Sequence, residues 1–220
     1  MLGCVTVFEE LLNLLLPTRC ALCRRLGAPI CEPCTSSLVW QPHEASRGHL
    51  LGAVASCYGE VESRLVKSFK EQGQTSLLPY LAQPMTGLLI EIMARFPDAT
   101  LVPVPSGKAN FLKRGFSPAK LLAQRVNRSA GRPTVVLDGL KFGHEILDQS
   151  KLDSTSRHGN LRDSMVGSNT LRGKEVIIID DIVTTGATIL EAARAATAAG
   201  ANVVGFLAFS ETILKTQSKT

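Results

Sequence analysis

The most ordered block of apolar and polar positions lies between Glu175 and Asn202. Val176-Ile177-Ile178-Ile179 is an unbroken β-branched run, the pattern of a strand covered on both faces in a parallel sheet. Two carboxylates, Asp180 and Asp181, end the run. Ile182 and Val183 lead into Thr184-Thr185-Gly186-Ala187-Thr188 and an Ala-rich stretch up to Gly200, where a helix C′ glycine is expected. The predicted order is strand, acid pair, hydroxyl-rich turn, helix. Thr188 and Glu191 fit a Thr-x-x-Glu capping box, which places Thr188 at the helix start.

Upstream, Leu51 to Tyr58 reads as a strand, and Val61, Leu65, Val66 and Phe69 fall at helical spacing toward Gly73. Arg64, Lys67 and Lys70 read as that helix's solvated basic face. Leu77 to Phe96 is apolar but carries Pro84, Glu91 and Arg95, so it reads as buried helices rather than a membrane span. A strand over Leu101 to Val104 leads to a Ser106-Gly107-Lys108 turn. Ser117-Pro118, an N-cap with proline at N1, then opens a helix through Leu121, Leu122 and Val126 to Gly131. A strand is expected at Thr134 to Leu137. From Lys141 to Arg172 periodicity is lost, as in a lid or functional loop. Val203 to Phe209 reads as the closing strand, followed by a polar tail from Glu211. Near the start, Phe8, Leu11, Leu12, Leu15 and Leu16 form a short amphipathic helix that stops at Pro17. The whole predicts an α/β fold, a parallel sheet flanked by helices.

The 220 residues suffice for one such domain plus a small appendage. The formal charge of +5 and pI near 9.0 exclude a histone-like binder, but the charge is uneven. Between Ala99 and Leu137 there is no Asp or Glu, while Lys108, Lys113, Arg114, Lys120, Arg125, Arg128 and Arg132 all fall there. Such a tract suits a polyphosphate or a nucleic-acid backbone.

Cys20-Ala-Leu-Cys23 and Cys31-Glu-Pro-Cys34 are paired Cys-x-x-Cys knuckles, a spacing that lets four thiolates close on one structural Zn²⁺. Arg19, Arg24 and Arg25 offset the negative charge. Cys4 and Cys57 lie outside the pattern and read as small apolar residues. The polar stretch Thr35 to His49 reads as a linker, giving an N-terminal helix and zinc module over 1–48 and a main domain over 49–220. Glu9 and Glu10 interrupt the first apolar stretch and no basic n-region precedes it, so the expected compartment is cytoplasmic and reducing.

In chemical terms, the turn over Thr184 to Thr188 gathers backbone N–H groups and hydroxyls at the positive end of a helix, where a phosphate monoester fits. Asp180 and Asp181, at the carboxyl end of the strand, are suited to accept hydrogen bonds from vicinal ribose hydroxyls. Ser106, Gly107 and Lys108, with Arg114, offer donors and cations for a pyrophosphate leaving group.

The acid pair followed by Thr-Thr-Gly-x-Thr resembles the phosphoribosyl pyrophosphate (PRPP) signature of type I phosphoribosyltransferases. The chain as a whole resembles the ComF family of that superfamily. The likeness rests on the apolar N-terminal stretch to Pro17, the four-cysteine module, the Tyr58-Gly to Lys70 segment, Val102-Pro-Val-Pro105, Arg114-Gly-Phe116 and the Arg157-x-x-Asn160 pair. It departs where the family has Asn-Gln-Ala and Ser117-Pro118-Ala119 stands here. The resemblance implies Mg²⁺-PRPP binding, with ribose on Asp180 and Asp181 and the 5-phosphate on Thr184, Thr185, Gly186, Ala187 and Thr188. It also implies a second reading, a single-stranded DNA-binding or uptake factor using the basic tract, with a DNA-uptake helicase or other protein as a partner at the zinc module. It names no acceptor and no catalytic residue.

Overall fold

The computed structural model describes residues 18–131, 134–143 and 163–212. The expected N-terminal helix, the position of Cys4, and the loop residues Arg157 and Asn160 lie outside them.

A short helix, α1 (Glu32–Ser36), carries the second knuckle. The main sheet is built from β1 (His43–Arg47), β2 (Leu50–Cys57), β3 (Thr100–Pro103), β6 (Glu175–Val183) and β7 (Asn202–Glu211), in the order β1-β2-β7-β6-β3. Only the β1–β2 pair is antiparallel; β2, β7, β6 and β3 run parallel. The stretch expected as a linker therefore contains an edge strand of the main sheet. Its residues 43–47 need only one apolar face, and only Ala45 among them is buried, so their composition conceals the strand. The strand expected at Thr134 to Leu137 is reduced to a parallel bridge between Val136 and Leu101 at the far edge.

β6 is covered on both faces. Ile177 and Ile179 point into one core with Leu207 and Phe209, and Val176 and Ile178 into the other with Phe206 and Ala208, the two-sided burial its β-branched run predicts. The first core is closed by α2 (Glu60–Glu71), α3 (Leu78–Arg95) and α5 (Pro118–Ser129) through Leu65, Phe69, Leu81, Met85, Leu89, Leu122 and Val126. Cys20, Ala21, Ile30 and Cys31 also join this core. The second core is closed by α6 (Ala187–Ala198) through Ile189, Ala192, Ala195 and Ala196. Thr75–Arg95 is long and apolar enough, by length and composition, to cross a membrane. Here α3 packs on β2, β7 and α5 as a core helix.

Two elements escape the sequence pattern. Lys108–Arg114 forms a helix, α4, that buries no residue and ends on the left-handed Gly115. The irregular stretch after Lys141 is framed by an antiparallel pair, β4 (Leu140–Phe142) and β5 (Met165–Gly167).

This winding fixes the place of a ligand. From β6 the chain crosses through α6 to β7, while from β3 it leaves through α5 on the opposite face. The carboxyl ends of β3 and β6 thus flank the point where the winding reverses, which is where open α/β sheets form their crevice.

Candidate phosphoribosyl site and cysteine cluster

At the end of β6, Asp180 and Asp181 are buried, 8% and 4% exposed. Asp180 Oδ1 accepts from the Asp181 N–H at 2.8 Å, and Asp181 Oδ1 accepts from the Ile182 N–H at 2.8 Å. Asp181 Oδ2 faces Lys70 Nζ of α2 at 2.6 Å. Burial first, and then the Asp181 charge, push the Asp180 carboxyl well above its usual range, with Lys70 opposing. Burial works against the Lys70 charge too, but Asp181 and Asp180 outweigh it and hold the ammonium above its usual range; Arg114 acts in the opposite sense. Lys70 is therefore the counter-ion of the acid pair and not part of a solvated face. Its position four residues after the buried Val66, next to Phe69, is the signal that would have placed it inward.

The turn after β6 leads into α6, whose N-cap is Gly186 at φ +83°. The capping box expected at Thr188 and Glu191 is not formed. The helix begins at Ala187 because glycine takes the left-handed φ, and Glu191 is held elsewhere, accepting from the Met165 N–H and from Arg194 at 2.8 Å each. Gly200, at φ +88°, is the expected C′ residue after the Ala199 C-cap. Thr185 Oγ1 accepts from the Ala187 N–H at 3.4 Å. A Cβ on Gly186 would lie 2.4 Å from Arg47 Cδ, so the Arg47 stem from β1 packs directly on this turn. Arg47 Nη2 donates to the Thr184 carbonyl at 3.3 Å and pairs with Glu211. Arg47 and Glu211 carry no local sequence signal, since their partners are remote in the chain.

The Ser106-Gly107-Lys108 segment leaves β3 beside the acid pair, the Val104 N–H donating to the Ile179 carbonyl at 2.9 Å. Gly107 is the N-cap of α4 and Lys108 its first residue. Ser106 Oγ donates to Ser117 Oγ at 3.1 Å, bridging this segment to the start of α5. Lys120, by contrast, is drawn away to Asp138. The crevice thus joins Asp180, Asp181, the 184–188 turn and the 106–108 segment, with Lys70 against the acid pair and Arg47 backing the turn. A separate open depression of about 310 Å³, lined by Asp163, Met165, Gly167, Arg194 and Ala199 among others, shares no residue with it.

The Sγ atoms of Cys20, Cys23, Cys31 and Cys34 lie within 4.8 Å of one another, with Cys23 and Cys31 at 3.4 Å. A tetrahedral Zn²⁺ with bonds near 2.3 Å needs thiolates about 3.8 Å apart, so the set fits a closed structural ion. Burial works against the Cys20 thiolate, yet backbone donors from Cys23, Cys31 and Leu22 bring it down to about 6. Cys34 is pushed up to about 12 by hydrogen bonding to Cys31, burial and the neighbouring thiols. Four adjacent thiols cannot all ionise unaided; a divalent cation relieves the repulsion.

A family of phosphoribosyl transferase domains matches residues 111–216. Competence protein ComFC of Bacillus subtilis (strain 168) is 30% identical over 139 residues, 62% of this chain and 54% of that protein. The chain is a ComFC-like phosphoribosyltransferase-domain protein. Orotate phosphoribosyltransferase of Streptococcus pyogenes serotype M5 (strain Manfredo) is 34% identical over 74 residues, 32% of this chain and 35% of that protein. The matches thus span about half of the first relative and about a third of the second. A purine phosphoribosyltransferase structure from Pyrococcus horikoshii Ot3 aligns at 17% identity and a TM-score of 0.36, over 63% of this chain and 80% of that one.

Two outcomes follow from the charges. Because the folded-state pKa of Asp180 is raised, its protonated form adds stability that is complete below the ordinary carboxylate range and is lost as pH rises through the raised value. Asp180→Asn, of the same shape but unable to ionise, is expected to flatten that fall in chemical denaturation across pH; a slope equal to wild type would contradict the assignment. The purified chain is expected to carry one thiolate-bound divalent cation, visible as a charge-transfer band after Co²⁺ substitution. Cys31→Ser should abolish the native band and weaken metal retention.

Proposed function

We propose that the crevice binds Mg²⁺-PRPP and that the chain transfers phosphoribosyl to an acceptor that its residues do not identify. The observation that carries this reading is the buried acid pair placed one turn before an α-helix N-terminus, with Lys70 balancing its charge. In this reading Asp180 and Asp181 hold the ribose hydroxyls, and the N–H groups and hydroxyls over Thr184, Thr185, Gly186, Ala187 and Thr188 hold the 5-phosphate. Ser106, Gly107 and Lys108, with Arg114, receive the pyrophosphate.

Mg²⁺ supplies charge neutralisation for the diphosphate when bound. The protein residues act by orientation and electrostatics, because the transition state resembles an oxocarbenium ion and asks for little acid–base work. A reducing cytoplasmic setting and a structural Zn²⁺ in the cysteine cluster complete the reading. Asp181→Asn is expected to weaken Mg²⁺-PRPP binding by roughly tenfold or more in calorimetry, the loss of one charge-assisted contact. Unchanged affinity would count against the site.

A second reading is favoured by α4. Phe111 and Leu112 are exposed on it beside Lys113, and Arg114 lies at its end, a basic and apolar surface suited to single-stranded DNA, with a helicase or other protein at the cysteine module. The relative's printed name, a competence protein, points the same way. Binding of a fluorescent oligonucleotide should fall steeply with salt, and Lys113→Ala should reduce the salt slope. No binding at low salt would end this reading.

A further inference from the structure

Behind the turn at 184–188 lies a charged cluster that the phosphoribosyl reading does not use. Glu211, at the end of β7, takes Arg47 on Oε2 and His43 Nε2 on Oε1, the latter at 2.7 Å. His43 Nδ1 lies 2.7 Å from the Gln41 carbonyl. Both ring nitrogens thus face oxygen acceptors, and only the imidazolium can donate to both. The Gln41 carbonyl, first, and then Glu211 raise the His43 pKa against burial and the Arg47 charge. The charged groups facing His43 are Glu211 from β7 and Arg47 from its own strand.

Arg47 and Glu211 are nearly buried, with side chains 13% and 10% exposed. The guanidinium also donates to the carbonyls of Ser46, at 2.8 Å, and Thr184, at 3.3 Å, and its stem fills the space a side chain at 186 would need. Arg47 Nε is buried with no partner among the described residues. Two cations against one carboxylate leave the cluster net positive, directly beside the turn that takes an anion.

We propose that Arg47 is a positioning residue of the phosphate cradle, locked against Thr184 and Gly186 by Glu211 and His43, so that the strand leaving the cysteine module sets the geometry of the 184–188 turn. This rests on the reading of that turn as a phosphate cradle. Arg47 acts from behind: it ties down a carbonyl of the turn, leaving to the ligand the turn's N–H groups other than that of Ala187, which donates to Thr185 Oγ1. The excess positive charge strengthens those donors. The lock depends on pH. A raised His43 pKa makes its contribution complete below the ordinary histidine value and lost as pH rises through the raised one.

The test measures two quantities on the full chain, wild type against Arg47→Gln, Arg47→Lys and Glu211→Gln. The first is hydrogen exchange of the 184–188 amides without ligand, with 176–179 of β6 as internal control; the second is calorimetric Mg²⁺-PRPP affinity. Arg47→Gln is expected to speed exchange in 184–188 but not in 176–179, and to weaken binding roughly tenfold. Arg47→Lys should recover part of the affinity, because the charge is kept, but not the exchange protection, because an ammonium cannot span Thr184 and Glu211. In wild type the protection, corrected for intrinsic exchange, should fall above the His43 pKa. Should Arg47→Gln fail to fold, Glu211→Gln carries the same comparison. Unchanged exchange in 184–188 overturns the proposal, whatever the affinity. If wild type binds no Mg²⁺-PRPP, the phosphate reading fails, and the exchange result alone decides whether Arg47 positions the turn.

Discussion

Two adjacent carboxylates buried near the end of β6, an interior strand of the sheet, set the terms for everything around them. Burial of even one unpaired charge costs several kcal/mol, and Asp180 and Asp181 also repel each other. The fold answers with a proton favoured on Asp180, local N–H donors to both acids, and Lys70 from α2 against Asp181. These compensations tie α2 to the carboxyl end of β6. Aliphatic residues at 180 and 181 would need none of these compensations. The acid pair is a feature of the site, and the scaffold is arranged to tolerate it.

The crevice is also a meeting of three loops delivered by separate elements. β6 and α6 bring the acids and the Thr-Thr-Gly turn, β3 brings Ser106 and Gly107, and the edge strand β1 brings Arg47. Parallel strands deliver the first two to one end of the sheet as a matter of topology. The antiparallel β1 lies against the turn itself, the Arg47 Cβ and stem packing on Gly186.

What was legible in the sequence was local. The β-branched run, the acid pair, the turn and the helix up to Gly200 follow one another without interruption, and the cysteine spacing implies a convergence that the sulfurs display. Non-local contacts were hidden. Arg47 meets Thr184 across 137 residues and His43 meets Glu211 across 168, so no window contains both partners, and Glu211 read as the start of a polar tail. Thr188 was placed at the helix start because its spacing to Glu191 is that of a capping box; the positive φ of Gly186 and the pull of Arg194 on Glu191 decided otherwise. Helix α4 buries no side chain and so offers no apolar stripe to read.

The first knuckle is fastened to both ends of the helix that carries Lys70. Arg64 donates to the Leu22 carbonyl at 2.7 Å and Gln74, just beyond that helix, to the Arg19 carbonyl at 2.9 Å. A structural cation in the cysteine cluster would hold in place the knuckle backbone that presents these carbonyls. If the acid pair takes the proposed ligand, its occupancy and that of the cluster enter one reciprocal equilibrium, in which whatever a cation contributes to ligand affinity the ligand returns to cation affinity. The cysteine cluster and the acid pair are thus joined through α2 without sharing a residue.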